Sequence, residues 1–331
     1  ELEGIAAVCH ELSTGAPSSF QAALQLVQFT RIFGGRGCIG RFDQWLYPFY
    51  ERDIEAGHIS RDEAQELLEC LFIKMNEFSN VQPVAPGISA EGRRIWGVAN
   101  DDLRNIALAG QTPAGDDACN ELTYMCLEAS GKLMLPEPKL NVRFWPGSPR
   151  KLLRQCCRLL SKGGNVLAFF NDEVVIPSLR RIGVPLEDAQ DYCNDGCSEI
   201  IIGGKSTIHF KVHDSLAALT DTVLSAKGQP YHAFDGLMAS FKSRLTPFML
   251  QGHGEVEPIT FPFFAASIED CLHEASASGA RYSLLGSILA QVGNTTDGLA
   301  AIKKLVYEDE ALAWDDLVSA LEVDYEGYER L

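Results

Sequence analysis

Residues 191–207 read DYCNDGCSEIIIGGKST. The stretch holds Cys193 and Cys197, with Glu199 two residues after the second cysteine, and closes on Gly203-Gly204-Lys205-Ser206. Four chemistries compete for it. A phosphate loop needs a glycine, four residues and then Gly-Lys-Ser/Thr, but Glu199 occupies the first glycine's place. Structural zinc uses four ligands in paired short spacings. Here only His209 and His213 follow nearby, and Gly196 interrupts any helix that would bring the two cysteines to one face. An iron–sulfur run of Cys-x3-Cys-x2-Cys fails because position 200 is Ile. No Cys-x-x-Cys redox pair exists. The adjacent Cys156-Cys157 lies in RQCCRLL, a helical pattern in which neighbours point about 100° apart, so one faces the core and the other its flank.

Gly196-Cys197-x-Glu199 remains. A glycine permits backbone angles that a β-carbon forbids, which suits a tight turn presenting one thiol. If the chain is extended after the turn, residues 197 and 199 project to the same side, a sulfur beside a group able to move a proton. A buried cysteine followed by a surface glutamate would give the same letters, and the residues alone leave both readings open.

Outward from this stretch, helices and strands alternate. Ser18–Phe33 has helical apolar spacing behind a serine cap, and Ser60–Phe78 is an amphipathic helix whose Ser60 and Glu63 match a capping box. Cys70 within it reads as a small core residue. Residues 81–106 are irregular. Asp116–Ser130 reads as a helix, Lys139–Trp145 alternates like a strand, and Ser148–Gly164 is a helix with a capping serine, an early proline and a glycine stop. VLAFFND reads as a short buried strand. EVVIPSLRRIG and PLEDAQDY read as two short helices, the first disturbed by Pro177, and CSEIII reads as extended. Beyond Asp214 the pattern is mostly helical. The alternation predicts an α/β architecture.

The composition narrows the function. A formal charge of −17 over 331 residues opposes binding to a phosphate backbone, which is neutralised by Lys and Arg, and no basic block offsets it; no nucleic-acid partner is expected. No apolar run is long enough to span a bilayer, so no membrane partner is expected either. The opening ELEGIAAVCHEL is acidic where a signal peptide would be basic. Ten irregularly spaced cysteines do not form a disulfide scaffold. A reducing, cytoplasmic setting is expected.

The stretch GRFDQWLYPFYERDIEAGHISRDEAQELLECLFIKMNE (40–77) resembles the glycyl radical enzymes, the family of pyruvate formate-lyase and of the diol, choline and hydroxyproline lyases. SSFQAALQLVQF is similar to that family's Phe-x-Glu-Ala-Leu-Gln helix, with Gln21 in place of the Glu. GVPLEDAQDYCNDGCSE resembles its active-site cysteine loop, and NTTDGLAAIKKLVYEDEALAWDDLVSALEVDYEGYERL the segment after its barrel core. The resemblance implies part of a ten-stranded α/β barrel of two five-stranded halves surrounded by helices, with residues 1–331 as the central portion of a single catalytic domain. It implies Cys197 as the thiyl radical that abstracts a substrate hydrogen and Glu199 as the proton-transfer residue. No bound cofactor is implied. The radical rests on a protein glycine and is installed by a radical S-adenosylmethionine activating enzyme, the expected partner beside a small-molecule substrate and a second copy in a homodimer. Anaerobic metabolism is the expected setting.

Two departures bear on this. The family's C-terminal Arg-Val-x-Gly-Tyr loop has no counterpart here, since Gly327-Tyr328 has Asp324 where the Arg belongs. The chain is therefore expected to be a central fragment, inactive alone. Diol dehydratases carry a His-Asp pair about fourteen residues past the cysteine, where Phe210 and Lys211 stand here, with His209, His213 and Asp214 out of register. Asp195, His209 and Phe210 are the candidate substrate contacts; a carboxylate satisfying turn amides is the competing reading of Asp195. The expected function is lyase or dehydratase chemistry, cleaving a C–O, C–N, C–S or C–C bond. The alternative is a non-catalytic paralogue or subunit that keeps the barrel core and receives a radical domain in trans. A bacterial microcompartment stays open as a location.

Overall fold

The computed structural model describes residues 2–34, 38–77, 105–163, 166–196, 199–250 and 262–328. The reading of 81–106 as irregular falls outside the described residues up to position 104 and is corrected at Asn105 and Ile106, which open a strand. The chain divides into two compact units, 1–207 with 258–284, and 208–257 with 285–331.

The first unit is built on a parallel sheet of three strands in the order β1 (Asn105–Ala109), β2 (Lys139–Phe144) and β3 (Leu167–Asn171). Residues 39–41 run alongside β1, with the Ile39 amide donating to the Asn105 carbonyl and the Ala107 amide to the Gly40 carbonyl, both at 2.9 Å. Strand alternation gives the sheet two characters. Ile106, Leu108, Leu140 and Val142 enter a core with Phe20, Leu24, Phe42, Leu68, Phe72, Met75 and Leu122 from the surrounding helices. Asn105, Asn141 and Arg143, also buried, occupy the alternate positions. Beyond the sheet, β4 (Tyr192–Asp195) and β5 (Glu199–Ile202) form an antiparallel hairpin.

The sequence signature around Gly40 proves to be a set of tethers. Arg41 donates to Asp191 Oδ1 at 2.8 Å and to the Ala109 carbonyl at 2.9 Å. Asp43, fully buried, accepts the Ala109 amide at 2.8 Å and the Thr123 hydroxyl, and Gln44 Nε2 donates to the Ala118 carbonyl at 2.7 Å. The end of β1 and the start of the helix Glu121–Leu133 are thus fixed by one short segment.

The helix Arg61–Glu77 carries the expected box, Glu63 accepting from the Ser60 amide and Ser60 Oγ accepting from the Glu63 amide. Cys156 is buried and Cys157 exposed, as the 100° spacing requires. Several expectations need correction. Cys70 is exposed, pointing away from the face made by Leu68, Leu71 and Phe72. Ser148 does not cap the helix Arg150–Leu160; its hydroxyl accepts the Trp145 amide instead, closing the preceding turn. β3 is only partly buried, with Phe169 48% exposed, because it lies at the edge of its sheet. The helix Asp172–Arg181 runs through Pro177 without a break.

In the second unit the helices Ser215–Leu224, Phe234–Leu250, Val292–Ile302 and Trp314–Glu322 share a core of Leu219, Val223, Leu237, Trp314, Leu317 and Val318. Strands β6 (Ser206–Asp214) and β7 (Tyr282–Ala290), which pair with each other, have their first residues in the first unit and the rest in the second. The second of these corrects the helical reading beyond Asp214. Its run YSLLGSILA has no polar alternation, and periodicity does not separate a buried strand from a buried helix.

Gly110 follows β1 with φ +81°, and a β-carbon there would lie 2.5 Å from Arg143 Nε. Gly163 has a similar φ of +86° with nothing within 4 Å. Gly163→Ala is expected to cost roughly 1–2 kcal/mol of backbone strain, and Gly110→Ala about 3 kcal/mol or more, since it also displaces the guanidinium. Urea midpoints of the two variants measure the difference.

Candidate active site

The hairpin β4–β5 is registered by the pairs Tyr192↔Ile202, Cys193↔Ile201, Asn194↔Ile200 and Asp195↔Glu199. Three residues of sequence, 196–198, separate the strands. Gly196 has φ +56°, the left-handed conformation its lack of a β-carbon favours. Cys197 and Ser198 lie outside the described residues. The extended reading after the turn is correct from Glu199 onward.

Three sets of contacts fix the hairpin. At its base, fully buried Arg143 makes a fork with Asp172, Nε to Oδ1 and Nη2 to Oδ2, each 2.9 Å. The same guanidinium donates to the carbonyls of Tyr192 and Gln190, both at 2.8 Å. The Tyr192 hydroxyl donates back to Asp172 Oδ1 at 2.8 Å, and its ring centroid lies 3.9 Å from the guanidinium carbon. Burial pushes the Tyr192 hydroxyl well above the usual tyrosine value, so it stays a donor. At the tip, Asn105 Nδ2 donates to the Gly196 carbonyl. On the flank, the Cys38 amide donates to Asp195 Oδ1 at 2.6 Å.

Alternation gives β4 two sides. Tyr192 turns toward Arg143 and Asp172, whereas Cys193 and Asp195 share the other side with Glu199, the cross-strand partner of Asp195. Cys38 lies against this second side. Its thiol hydrogen-bonds with that of Cys193, and this contact together with burial raises it well above the ordinary thiol value. The Gly40 amide donates to Cys38 Sγ at 3.1 Å. Burial pushes the Asp195 carboxyl up and the charge of Glu199 adds to this, outweighing the amides of Cys38 and Gly196 that pull it down. Asp195 therefore does satisfy turn and loop amides, and it sits above the usual carboxylate range while doing so.

The other candidates are placed differently. His209 and Phe210 lie on β6, with side chains outside what is described. Asp214 caps the helix Ser215–Leu224, accepting the Ala217 amide at 3.0 Å. Among the described residues no group of three or more His, Cys, Asp or Glu side chains is arranged for a metal ion, and no helix is long and apolar enough to cross a membrane. Sequence reasoning missed Cys38 and Asn105, whose roles depend on contacts 157 and 91 residues away along the chain.

Residues 1–227 and 251–331 match the model of the pyruvate formate lyase-like family. The chain belongs to that family. Among its relatives, trans-4-hydroxy-L-proline dehydratase of Clostridioides difficile is 29% identical over 99% of this chain and 45% of its own. Isethionate sulfite-lyase of Nitratidesulfovibrio vulgaris is 29% identical over 99% of this chain and 44% of its own. The glycerol-bound B12-independent glycerol dehydratase of Clostridium butyricum superposes with a TM-score of 0.81 at 29% identity, covering 99% of this chain and 44% of that one. The pyruvate formate lyase-like chain described here thus spans less than half the length of the curated relatives it matches.

Proposed function

We propose that this chain carries the thiyl and proton-transfer residues of a glycyl radical lyase or dehydratase. Cys197, as a thiyl radical, removes a hydrogen atom from a substrate carbon. Glu199 takes a proton from the neighbouring substrate hydroxyl, which drives departure of the group on the next carbon. The product radical recovers its hydrogen from the Cys197 thiol, so the cysteine is regenerated. The observation that carries this reading is the hairpin itself. It starts β5 at Glu199, two residues past Cys197, and holds Gly196 left-handed just before the cysteine.

The glycyl radical of the family, installed by a radical S-adenosylmethionine activating enzyme, would supply the oxidising equivalent to Cys197. What these residues contribute is position: Asn105, Arg143 and the Cys38 amide hold both ends of the hairpin without using the reacting groups. The names of the relatives, which describe dehydration and sulfite release, support β-elimination from a hydroxyl-bearing small molecule. The same reading takes the strands described here as part of a ten-stranded barrel in a single catalytic domain of a homodimer, working anaerobically in the cytoplasm.

Glu199→Gln in the activated full-length protein tests the assignment. The amide keeps the size and removes the proton acceptor, so kcat is expected to fall roughly 10²–10⁴-fold, while the glycyl radical still forms and is seen by electron paramagnetic resonance. Product formation at the wild-type rate would remove Glu199 from the mechanism.

A further inference from the structure

The face that the parallel sheet turns toward the hairpin carries two asparagines, and β4 brings a third against it. The register pairs Asn105 with Lys139, Ala107 with Asn141 and Ala109 with Arg143, and each pair shares one face of the sheet. Strand β4 crosses this face and is held at both ends. The Tyr192 ring and carbonyl sit on Arg143, and the Gly196 carbonyl accepts from Asn105 Nδ2. Asn194 is midway between those anchors on β4, as the row of Ala107 and Asn141 is midway between Asn105 and Arg143 on the sheet. Alternation turns Asn194 to the same side as Tyr192, toward the sheet. Both neighbours of Asn141 in that row, Ala107 and Ala168, are small, so Asn141 is the one long side chain opposite Asn194.

Asn141 and Asn194 are fully buried and Asn105 is 1% exposed. Neither polar atom of Asn141 or of Asn194 has a hydrogen-bond partner, and Asn105 Oδ1 has none either. Buried carboxamides are nearly always paired, because stranding one is costly. Five such atoms in one layer point to a group that they hold. Its chemistry follows from theirs. A carbonyl oxygen accepts only from the amide nitrogen, so the bond to Gly196 fixes the Asn105 carboxamide and leaves Oδ1 as an acceptor beside the residue that precedes Cys197. Asn141 and Asn194 each offer one acceptor and one NH2 donor. A carboxylate or sulfonate has no proton for the acceptors, and an ammonium has no lone pair for the donors. A hydroxyl serves both.

We propose that Asn105, Asn141 and Asn194 form a binding site for an uncharged hydroxyl group in the layer between the sheet and β4. Two sources supply that chemistry, an ordered water and a hydroxyl of the substrate. The second rests on the reading of Cys197 and Glu199 given under Proposed function, and the first does not. Held there, the hydroxyl links β4 to the sheet between its two direct anchors.

The tests use full-length protein before activation, so no radical chemistry enters them. Asn141→Leu and Asn194→Leu replace a carboxamide by an apolar side chain of similar size. With a hydroxyl in the site each change strands its remaining bonds, and the urea midpoint is expected to fall. A midpoint at or above wild type in either variant overturns the proposal, since removing an amide that holds nothing relieves a penalty. High-resolution crystal structures without and with propane-1,2-diol identify the source. An oxygen within about 3.2 Å of at least two of the three carboxamides in diol-free crystals is the water. An oxygen found only with the diol is the substrate hydroxyl, and titration calorimetry should then show diol affinity about 3–10-fold weaker in Asn194→Leu. Diol density with unchanged affinity in that variant is binding at crystal concentration only and overturns the proposal. So does a direct bond between Asn141 and Asn194, or no oxygen in either crystal. No readout here depends on Cys197 or Glu199, so this inference and the thiyl reading fail separately.

Discussion

Full-length, activated protein carrying Cys197→Ala is expected to form no product above background, a fall of at least ~10⁶-fold if this enzyme reaches even the lower range of enzymatic accelerations. Cys197→Ser is expected to be as inactive, because the stronger O–H bond of serine does not yield its hydrogen atom to a carbon-centred radical. Neither change should disturb folding. The register of β4 and β5, which runs from Tyr192↔Ile202 to Asp195↔Glu199, does not include residue 197. The melting temperature should therefore stay near that of wild type, and the glycyl radical signal should still appear on activation. Turnover in either variant would show that another group abstracts the substrate hydrogen.

The second large effect is expected at Arg143. Its guanidinium is fully buried, forks onto Asp172 and donates to two carbonyls of the segment leading into the hairpin. Breaking a buried ion pair by removing one partner costs roughly 3–5 kcal/mol, because the remaining charge has no compensation. Arg143→Met is expected to lose that much in urea unfolding, and Arg143→Lys nearly as much, since an ammonium cannot fork onto a carboxylate and reach both carbonyls. Pairing Arg143→Met with Asp172→Asn should recover part of the loss, as coupled neighbours do. A single-variant loss below about 1 kcal/mol, the range of an exposed ion pair, would mean that the network does not anchor the hairpin.

Much of this was legible in the letters, and the limits have physical causes. The extended segment after Cys197 and the capping box at Ser60 are local features. Each depends on residues within one turn or strand, so spacing alone displays them. The GRFDQ segment was readable as a family signature but not as a device. That Asp43 holds β1 and the helix Glu121–Leu133 together depends on Ala109 and Thr123, dozens of residues downstream. Strand β1, NIALA, has every residue buried, and a strand covered on both faces carries no alternation to read. Cys70 misled because helical spacing shows that a face exists and does not fix whether a residue on its margin turns inward. The facing of Cys38 and Cys193 had no sequence signal at all.

The tethers of the hairpin also have a cost in chain entropy. Its two strands lie only three residues apart in sequence, which favours fast, local formation. Its placement is another matter: the Cys38–Asp195, Arg41–Asp191 and Asn105–Gly196 contacts close loops of 157, 150 and 91 residues. Loop-closure entropy grows only slowly with length, but contacts so distant in sequence form late on the folding path. The hairpin is thus expected to reach its working position after the sheet and its helices, an order that hydrogen-exchange labelling during refolding would check.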